Sequence, residues 1–430
     1  MPIPQQDTQP SSNDTNAMPD FFRNFNSGAG EYPFGRIAED SEETAALLAN
    51  QKEFPNPPQV KVLNVFYRRF WSIWMRRYLA FFTIIFGFYG LYNWWPIIQR
   101  EPAEFGNSLG CTYAPYFFNK RAPTVQKIPI GKYKRSHFLG VSGDAVGTIT
   151  VSQRTNEVDN VVVAHTVRTD QKSLLNSVVV VQHDPALTRN SVWGLHTPEV
   201  AHPGRWRSPC MRFDIEILVP LGLEKLHIVT QSVTHVRFAP AHGLTNTTLQ
   251  ELHLVSLSPR AENTVHLQTG VRALRTIIDV AGGRMDGSVA LIESTEILTQ
   301  RGRADAFVNV AAMPLPAGVE NVDTRKLHTV TGVGQTEITF RDPQRRATDS
   351  VANKLKATHI SAGNGDVTLR YTGSGIDGLV EIDAPNAWTA EGLNTGSAGE
   401  DGRVMRKAGT GDGGDSVNVV SPSGTINLFF

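Results

Sequence analysis

Two hydrophobic patterns divide this chain. The first is continuous: from Tyr78 to Gln99 the sequence reads YLAFFTIIFGFYGLYNWWPIIQ, with no charged side chain. At 1.5 Å per residue, about 21 helical residues reach roughly 31 Å, which matches a bilayer core of about 30 Å. The pattern predicts one transmembrane helix over 78–98. Trp71, Trp74 and Tyr78 stand at its entry, and Tyr92, Trp94 and Trp95 near its exit. Such rings settle at the water–lipid boundary, where an apolar body and a polar tip are both satisfied.

The second pattern alternates. From about 125 to the end, apolar and polar residues switch with period two and Val, Ile, Leu and Thr are frequent, as half-buried strands require. Examples are Thr148-Ile-Thr-Val-Ser, Phe213-Asp-Ile-Glu-Ile-Leu-Val, Leu226-His-Ile-Val-Thr and Leu252-His-Leu-Val-Ser. Helical periodicity is almost absent; Thr348–Thr358 is the one stretch that reads as a helix. A unit recurs in which a turn glycine is followed by strand-like alternation: Gly147-Thr-Ile-Thr-Val, Gly287-Ser-Val-Ala-Leu, Gly365-Asp-Val-Thr-Leu, Gly378-Leu-Val-Glu-Ile and Gly424-Thr-Ile-Asn-Leu. Stacked units of this kind bury a continuous core between neighbours. The expected fold class is therefore mainly β, an irregular β-solenoid, with a β-sandwich as the alternative. The Gly424 unit places a strand at the C-terminus, so the domain is expected to finish there without a tail. The Gly-, Asp- and Ser-rich stretch 391–416 is expected to be a flexible loop.

Between and before these patterns the chain divides further. Residues 1–59 are polar or proline-broken and are expected to be a disordered tail. They hold one short helix candidate, opened by Asp40-Ser-Glu-Glu43 and ended before Pro55, Pro57 and Pro58. Residues 60–77, VKVLNVFYRRFWSIWMRR, suit a basic, aromatic helix next to the membrane. Residues 99–124 read as a linker, and 125–430 as the β-rich domain.

Charge fixes a direction. Arg68, Arg69, Arg76 and Arg77 precede the span, whereas Arg100 after it is accompanied by Glu101 and Glu104. The positive-inside rule then puts the N-terminus in the cytosol and the β domain outside it. A long, aromatic-rich span favours the plasma membrane or a late secretory compartment. The whole chain carries 41 basic and 41 acidic residues, a balance that argues against a nucleic-acid partner. Membrane lipid around 78–98 is the expected partner, and a protein or glycan is the expected partner of the β domain.

Only two cysteines occur, Cys111 and Cys210, both after the span. Outside the cytosol they would form one disulfide, closing a loop worth roughly 4 kcal/mol in the chain-entropy model; two buried thiols are the alternative. Asn246-Thr-Thr248 is the one glycosylation sequon past the span.

Candidate chemistry is sparse. All twelve histidines follow the span, and those in Leu226-His227-Ile and Leu252-His253-Leu read as strand-surface residues; no zinc-ligand spacing is present. Gly411-Asp-Gly-Gly-Asp415-Ser-Val417 matches part of a calcium-binding repeat, but such repeats work in tandem and only one copy is present. Asp377, Glu381 and Asp383 are the nearest approach to a carboxylate pair for glycan cleavage. No Asp-x-Asp motif, nucleophile elbow or phosphate loop occurs. No cofactor is expected, and no catalytic or metal residue is assigned.

A family resemblance fits this architecture. Ser361-Ala-Gly-Asn-Gly-Asp-Val-Thr-Leu, Thr372-Gly-Ser-Gly-Ile-Asp-Gly-Leu-Val-Glu-Ile and Ser423-Gly-Thr-Ile-Asn-Leu resemble the adhesin-like β-solenoid domain of single-pass membrane proteins in fungi and bacteria. The resemblance covers about 130–430, with 180–260 departing from it as an insertion or sandwich-like part. It implies a non-catalytic adhesion or assembly surface outside the cytosol. A carbohydrate-active type II membrane enzyme and a secretory-pathway scaffold subunit are the alternatives.

Overall fold

Period-two alternation becomes strands because each second side chain finds an apolar interior. In the computed structural model the residues described are 106–430, apart from 107–108, 112, 120–121, 131–134, 154–158, 184–190, 200–208, 241–247, 317–318, 320–321, 346–352, 386 and 395–402. They lie in the unit Ile97–Phe430. The predicted tail 1–59, the basic helix 60–77 with Arg68, Arg69, Arg76 and Arg77, the span 78–98 and the sequon Asn246 lie outside the described residues. Among the described residues, no helix is long and apolar enough to cross a membrane.

The first strands are β1 (Tyr116–Phe117), β2 (Thr124–Pro129), β3 (Ser136–Ser142), β4 (Val146–Gln153), β5 (Asn160–Thr169), β6 (Val179–His183), β7 (Ser191–His196) and β8 (Met211–Val219). A 3₁₀ turn, Lys172–Ser177, separates β5 from β6. Then follow β9 (Lys225–Thr230), β10 (Thr234–Phe238), β11 (Thr248–Ser256), β12 (Thr264–Leu267), β13 (Arg272–Val280), β14 (Gly282–Leu291), β15 (Ser294–Leu298) and β16 (Arg303–Ala312). The last are β17 (Thr324–Thr331), β18 (Thr336–Arg341), β19 (Lys354–Ser361), β20 (Val367–Arg370), β21 (Gly378–Asp383), β22 (Ala387–Glu391), β23 (Val404–Ala408), β24 (Asp415–Val420) and β25 (Thr425–Phe429).

These strands make two large sheets of 13 and 12 strands among the described residues. From β9 to β20 consecutive strands alternate between the sheets, and from β11 each pairs in parallel with the strand two places earlier. Antiparallel hairpins would instead pair neighbours in sequence. At the far end β24 pairs between β19 and β21, and β25 between β20 and β22. The final strand of the chain thus sits one place in from the sheet edge. At the near end the antiparallel strands β5 and β6 cover β8 and β7.

The core is the strip of inward side chains from both sheets. Trp193, Phe213, Phe238 and Phe340 are its largest buried members, packed among Ile149, Ile217, Ile228, Leu254 and their neighbours. The glycine-led units have a steric reason. A Cβ on Gly424 would fall on the carbonyl oxygen of Gly365, and one on Gly365 would fall on that of Gly334. Stacked turns approach each other too closely here for any side chain.

Several expectations are corrected. The described part of Thr348–Thr358 is not helical: it enters β19, where Lys354-Leu-Lys-Ala-Thr-His-Ile-Ser alternates more and less exposed positions with period two. The stretch 391–416 is not one loop, because it contains β23 and the first residue pair of β24. Within 180–260 the departure is confined to the first part, where β6 runs antiparallel to β7 and β8 antiparallel to β5; β9, β10 and β11 return to parallel pairing, β9 on β3 and β10 on β4. Their turns use polar side chains in place of glycine. The Thr230 and Thr234 hydroxyls lie 2.7 Å apart, the Ser232 hydroxyl donates to the Gly143 carbonyl (2.7 Å), and the Asn263 side-chain oxygen accepts from the Thr234 N–H (2.9 Å). β1 and Cys111 fall within 99–124, and β1 pairs with β5.

Candidate functional site

The structure joins Cys111 and Cys210 in a disulfide, with their Cα atoms 5.6 Å apart. It ties the segment ahead of β1 to the residue that leads into β8, at the end of the sheets where β5 and β6 run antiparallel.

The acids singled out in the sequence are engaged in structure. Glu381 and Asp383 share one face of β21, and Arg403 bridges both, at 3.1 Å and 3.6 Å. Asp377 accepts from the Thr410 hydroxyl (2.7 Å) and the Gly411 N–H (2.6 Å). These hydrogen bonds hold its carboxyl below the usual carboxylate range. Asp415, the carboxylate of the calcium-like motif, is buried and faces inward. It forms an ion pair with Arg345 and accepts from the backbone N–H groups of Leu355 (2.7 Å) and Asp377 (2.9 Å). Arg345 also contacts Asp342 (3.1 Å), which in turn meets Arg325 (3.3 Å). All four side chains are nearly excluded from water. The cluster is a structural clamp that fastens β24 to the turn after β18, so Asp415 of the motif serves the fold.

The histidines divide into two groups. His137 and His359 point inward and are fully buried, contrary to the strand-surface expectation. His137 shares a 2.7 Å hydrogen bond with the Ser191 hydroxyl. His359 lies between the Thr329 hydroxyl (2.7 Å) and the Tyr371 phenol (2.6 Å). Burial lowers both imidazoles to about 3, the charge of nearby His328 adding to the effect at His359.

His227 and His253 do face outward, and the strand register brings them together. They are direct partners on β9 and β11, with ring centroids 5.6 Å apart and edge-on. Glu251 lies two residues before His253 and shares its face. Its Oε1 is 3.7 Å from His227 Nε2, and its Oε2 accepts from Lys225 Nζ at 3.2 Å. One donor atom from each of His227, Glu251 and His253 lies within 4.8 Å of the other two, and no other trio of His, Cys, Asp or Glu among the described residues does so. Partial burial lowers both imidazoles, and the Glu251 charge opposes this at each. Burial would raise the Glu251 carboxyl, but the Lys225 hydrogen bond and the charges of His227, Lys225 and Arg275 leave it lowered. Asp279 on β13 completes the patch. Its carboxyl is raised by burial, against the pull of Arg301 (2.9 Å) and His253. The sequence shows that each imidazole lies on a strand, but it contains no local signal that residues 26 positions apart are register partners.

The same face of the second sheet carries a row of polar side chains, one from each of β9, β11, β13, β15, β17 and β19, in which Glu251 takes part. Lys225, Glu251, Arg275, Ser294, Lys326 and Lys356 are successive register partners. On the first sheet His266 meets Asp286 (2.6 Å), and Arg370 meets Glu337 (2.7 Å) while covering the Phe429 ring.

Neither a protein-family model nor a curated protein matches the sequence. Among solved structures the chain is similar to a candidate adhesin from Bacteroides fragilis NCTC 9343, at 9% identity over 72% of this chain and 98% of that one, with a TM-score of 0.35. It is also similar to a candidate adhesin from Parabacteroides merdae ATCC 43184, at 12% identity over the same shares and a TM-score of 0.32. A candidate lipid-binding protein from Parabacteroides distasonis ATCC 8503 matches at 12% identity, again over 72% and 98%, with a TM-score of 0.31.

Proposed function

We propose that this chain is a single-pass membrane protein whose β domain, held outside the cytosol, is a non-catalytic β-solenoid that presents its flat faces for adhesion or assembly. In this reading each pair of consecutive strands is one coil, and 78–98 is the anchor. The positive flank of Arg68, Arg69, Arg76 and Arg77 sets the orientation, and the plasma membrane or a late secretory compartment is the destination. Asn246 is a glycan acceptor on the outer side.

One observation carries the functional part: the in-register rows of charged and polar side chains along the outer face. Parallel strands at a spacing of about 4.8 Å repeat a side chain at that interval, so Lys225 through Lys356 form a regular, extended ladder. Such a ladder suits an extended protein or glycan partner. Glycan hydrolysis needs two carboxylates across a groove, roughly 5–10 Å apart and free to move protons. The carboxylates named from the sequence are bound to Arg403, Thr410 and Arg345.

Proteoliposomes carrying the full chain should adhere to cells or to cell-wall glycan more than empty vesicles do. Reversing the row with Lys326→Glu and Lys356→Glu, both exposed positions, should reduce that adhesion severalfold with an unchanged melting temperature. Adhesion indifferent to the reversal, or turnover of a glycan by the purified full-length protein, would contradict the reading.

A further inference from the structure

We propose that His227, Glu251 and His253 form a binding site for a divalent transition-metal ion of the zinc class, with Asp279 orienting His253 and one coordination position left open on the outer face. The trio is a three-ligand set on a rigid support. Two ligands lie two residues apart on β11, so both project from the same face, and the third is the register partner of one of them on β9. A parallel sheet holds such neighbours at a fixed spacing, which pre-positions the donors at little entropic cost.

The distances fit a small ion. Zinc–ligand bonds of about 2.0–2.1 Å at tetrahedral angles put donor atoms about 3.3 Å apart. Here His227 Nε2 and Glu251 Oε1 are already 3.7 Å apart, and all three donor atoms lie within 4.8 Å of one another. Small side-chain rotations close that gap. Two imidazoles and one carboxylate select zinc or its transition-metal neighbours, whereas calcium would require six to eight oxygens. Lys225 already holds the other oxygen of Glu251, which leaves Oε1 turned toward the imidazoles.

Asp279 supplies an independent sign. Its side chain is only 6% exposed, and its Oδ1 is buried with no hydrogen-bond partner. On the sheet it pairs with Val255, one alternate position along from His253. Imidazoles that bind metal commonly donate their second N–H to such a carboxylate, and losing it costs about 10–100-fold in affinity. Asp279 is thus a positioning residue. With three protein ligands the fourth position is open to water, or to a carboxylate or imidazole supplied by a partner.

The test is titration of the untagged full-length protein in detergent with Zn²⁺ by calorimetry and with Co²⁺ by visible absorption. One ion should bind per chain, with tetrahedral Co²⁺ bands. His227→Ala and His253→Ala should each weaken binding at least about tenfold, and Asp279→Asn should weaken it about 10–100-fold while shifting the Co²⁺ bands. His328→Ala, on the same sheet but outside the trio, should leave both unchanged. Should an alanine variant melt early, His227→Gln and His253→Gln keep the shape while removing the ligand geometry. Binding that survives in a folded His227→Gln/His253→Gln protein, or no ion bound by the wild-type chain, overturns the proposal.

Discussion

Asp415→Ala should lower the stability of the β domain by about 3–5 kcal/mol, the usual cost of stranding a buried charge. The reason is the set of groups that Asp415 serves at once. Both of its oxygens face Arg345, and each also accepts a backbone N–H, from Leu355 at the start of β19 and from Asp377 before β21. Truncation leaves the Arg345 guanidinium nearly dry with only Asp342 as counter-charge, and it orphans two N–H donors in the interior. β24 enters between β19 and β21 at this residue, so the damage falls on the pairing that seats the final strands. Urea denaturation of wild type and variant, followed by far-UV circular dichroism, reads the difference. Asp415→Asn should recover part of the loss, since its carbonyl still accepts one backbone N–H. A variant within about 1 kcal/mol of wild type would show that the clamp does not hold the fold.

Acid should destabilise the same domain through His137 and His359. Both are neutral in the folded protein and titrate only near 3, while the unfolded chain takes up protons at about 6.5. Between those values the unfolded state binds more protons, so stability rises with pH across the window and is lost as pH falls from 6.5 toward 3. Each imidazole contributes a slope rising from half of about 1.4 kcal/mol per pH unit at pH 6.5 toward the full value at pH 5, which for two gives roughly 3 kcal/mol over that window. His165 and His235, also buried, are lowered by burial and add in the same direction. Urea midpoints at pH 7.5, 6.5 and 5 measure the effect. His359→Gln, which keeps a hydrogen bond to Thr329 or Tyr371, should roughly halve the slope. A flat profile over that range would falsify the assignment of both histidines as buried neutral groups.

Much of the architecture is legible in the sequence because strand formation depends on local alternation. Leu226-His-Ile-Val-Thr and Leu252-His-Leu-Val-Ser declare their inward and outward faces before any partner is known, and Gly365 and Gly424 mark turns that stack too closely for a Cβ. Where the turn chemistry changed, legibility failed. Thr230, Ser232, Thr234 and Asn263 shape turns by side-chain hydrogen bonds, so the part of 180–260 from β9 onward reads as a departure although its strands pair in parallel like those that follow. The glycines and aspartates around 411–415 resemble a solvent loop, but Asp415 is drawn inside by an arginine 70 residues away. Long-range partners of this kind leave no local trace. The same limit hid the outer trio: the sequence places His227 and His253 on strands, and only the parallel register sets one beside the other. His137 and His359 occupy inward positions because hydroxyl partners satisfy one ring nitrogen of His137 and both of His359, a compensation that alternation alone does not reveal.

The central claim is that an apolar helix over 78–98 holds the β domain on the non-cytosolic side. Protease digestion of sealed microsomes containing the full chain, with epitopes in 1–59 and at the C-terminus, tests it directly. The account predicts that the N-terminal epitope is destroyed, that a fragment running from the span to Phe430 survives until detergent is added, and that this fragment loses mass with a glycosidase that removes a glycan from Asn246. Survival of the N-terminal epitope with loss of the C-terminal one, or release of the intact chain from the membrane by salt alone, would contradict it.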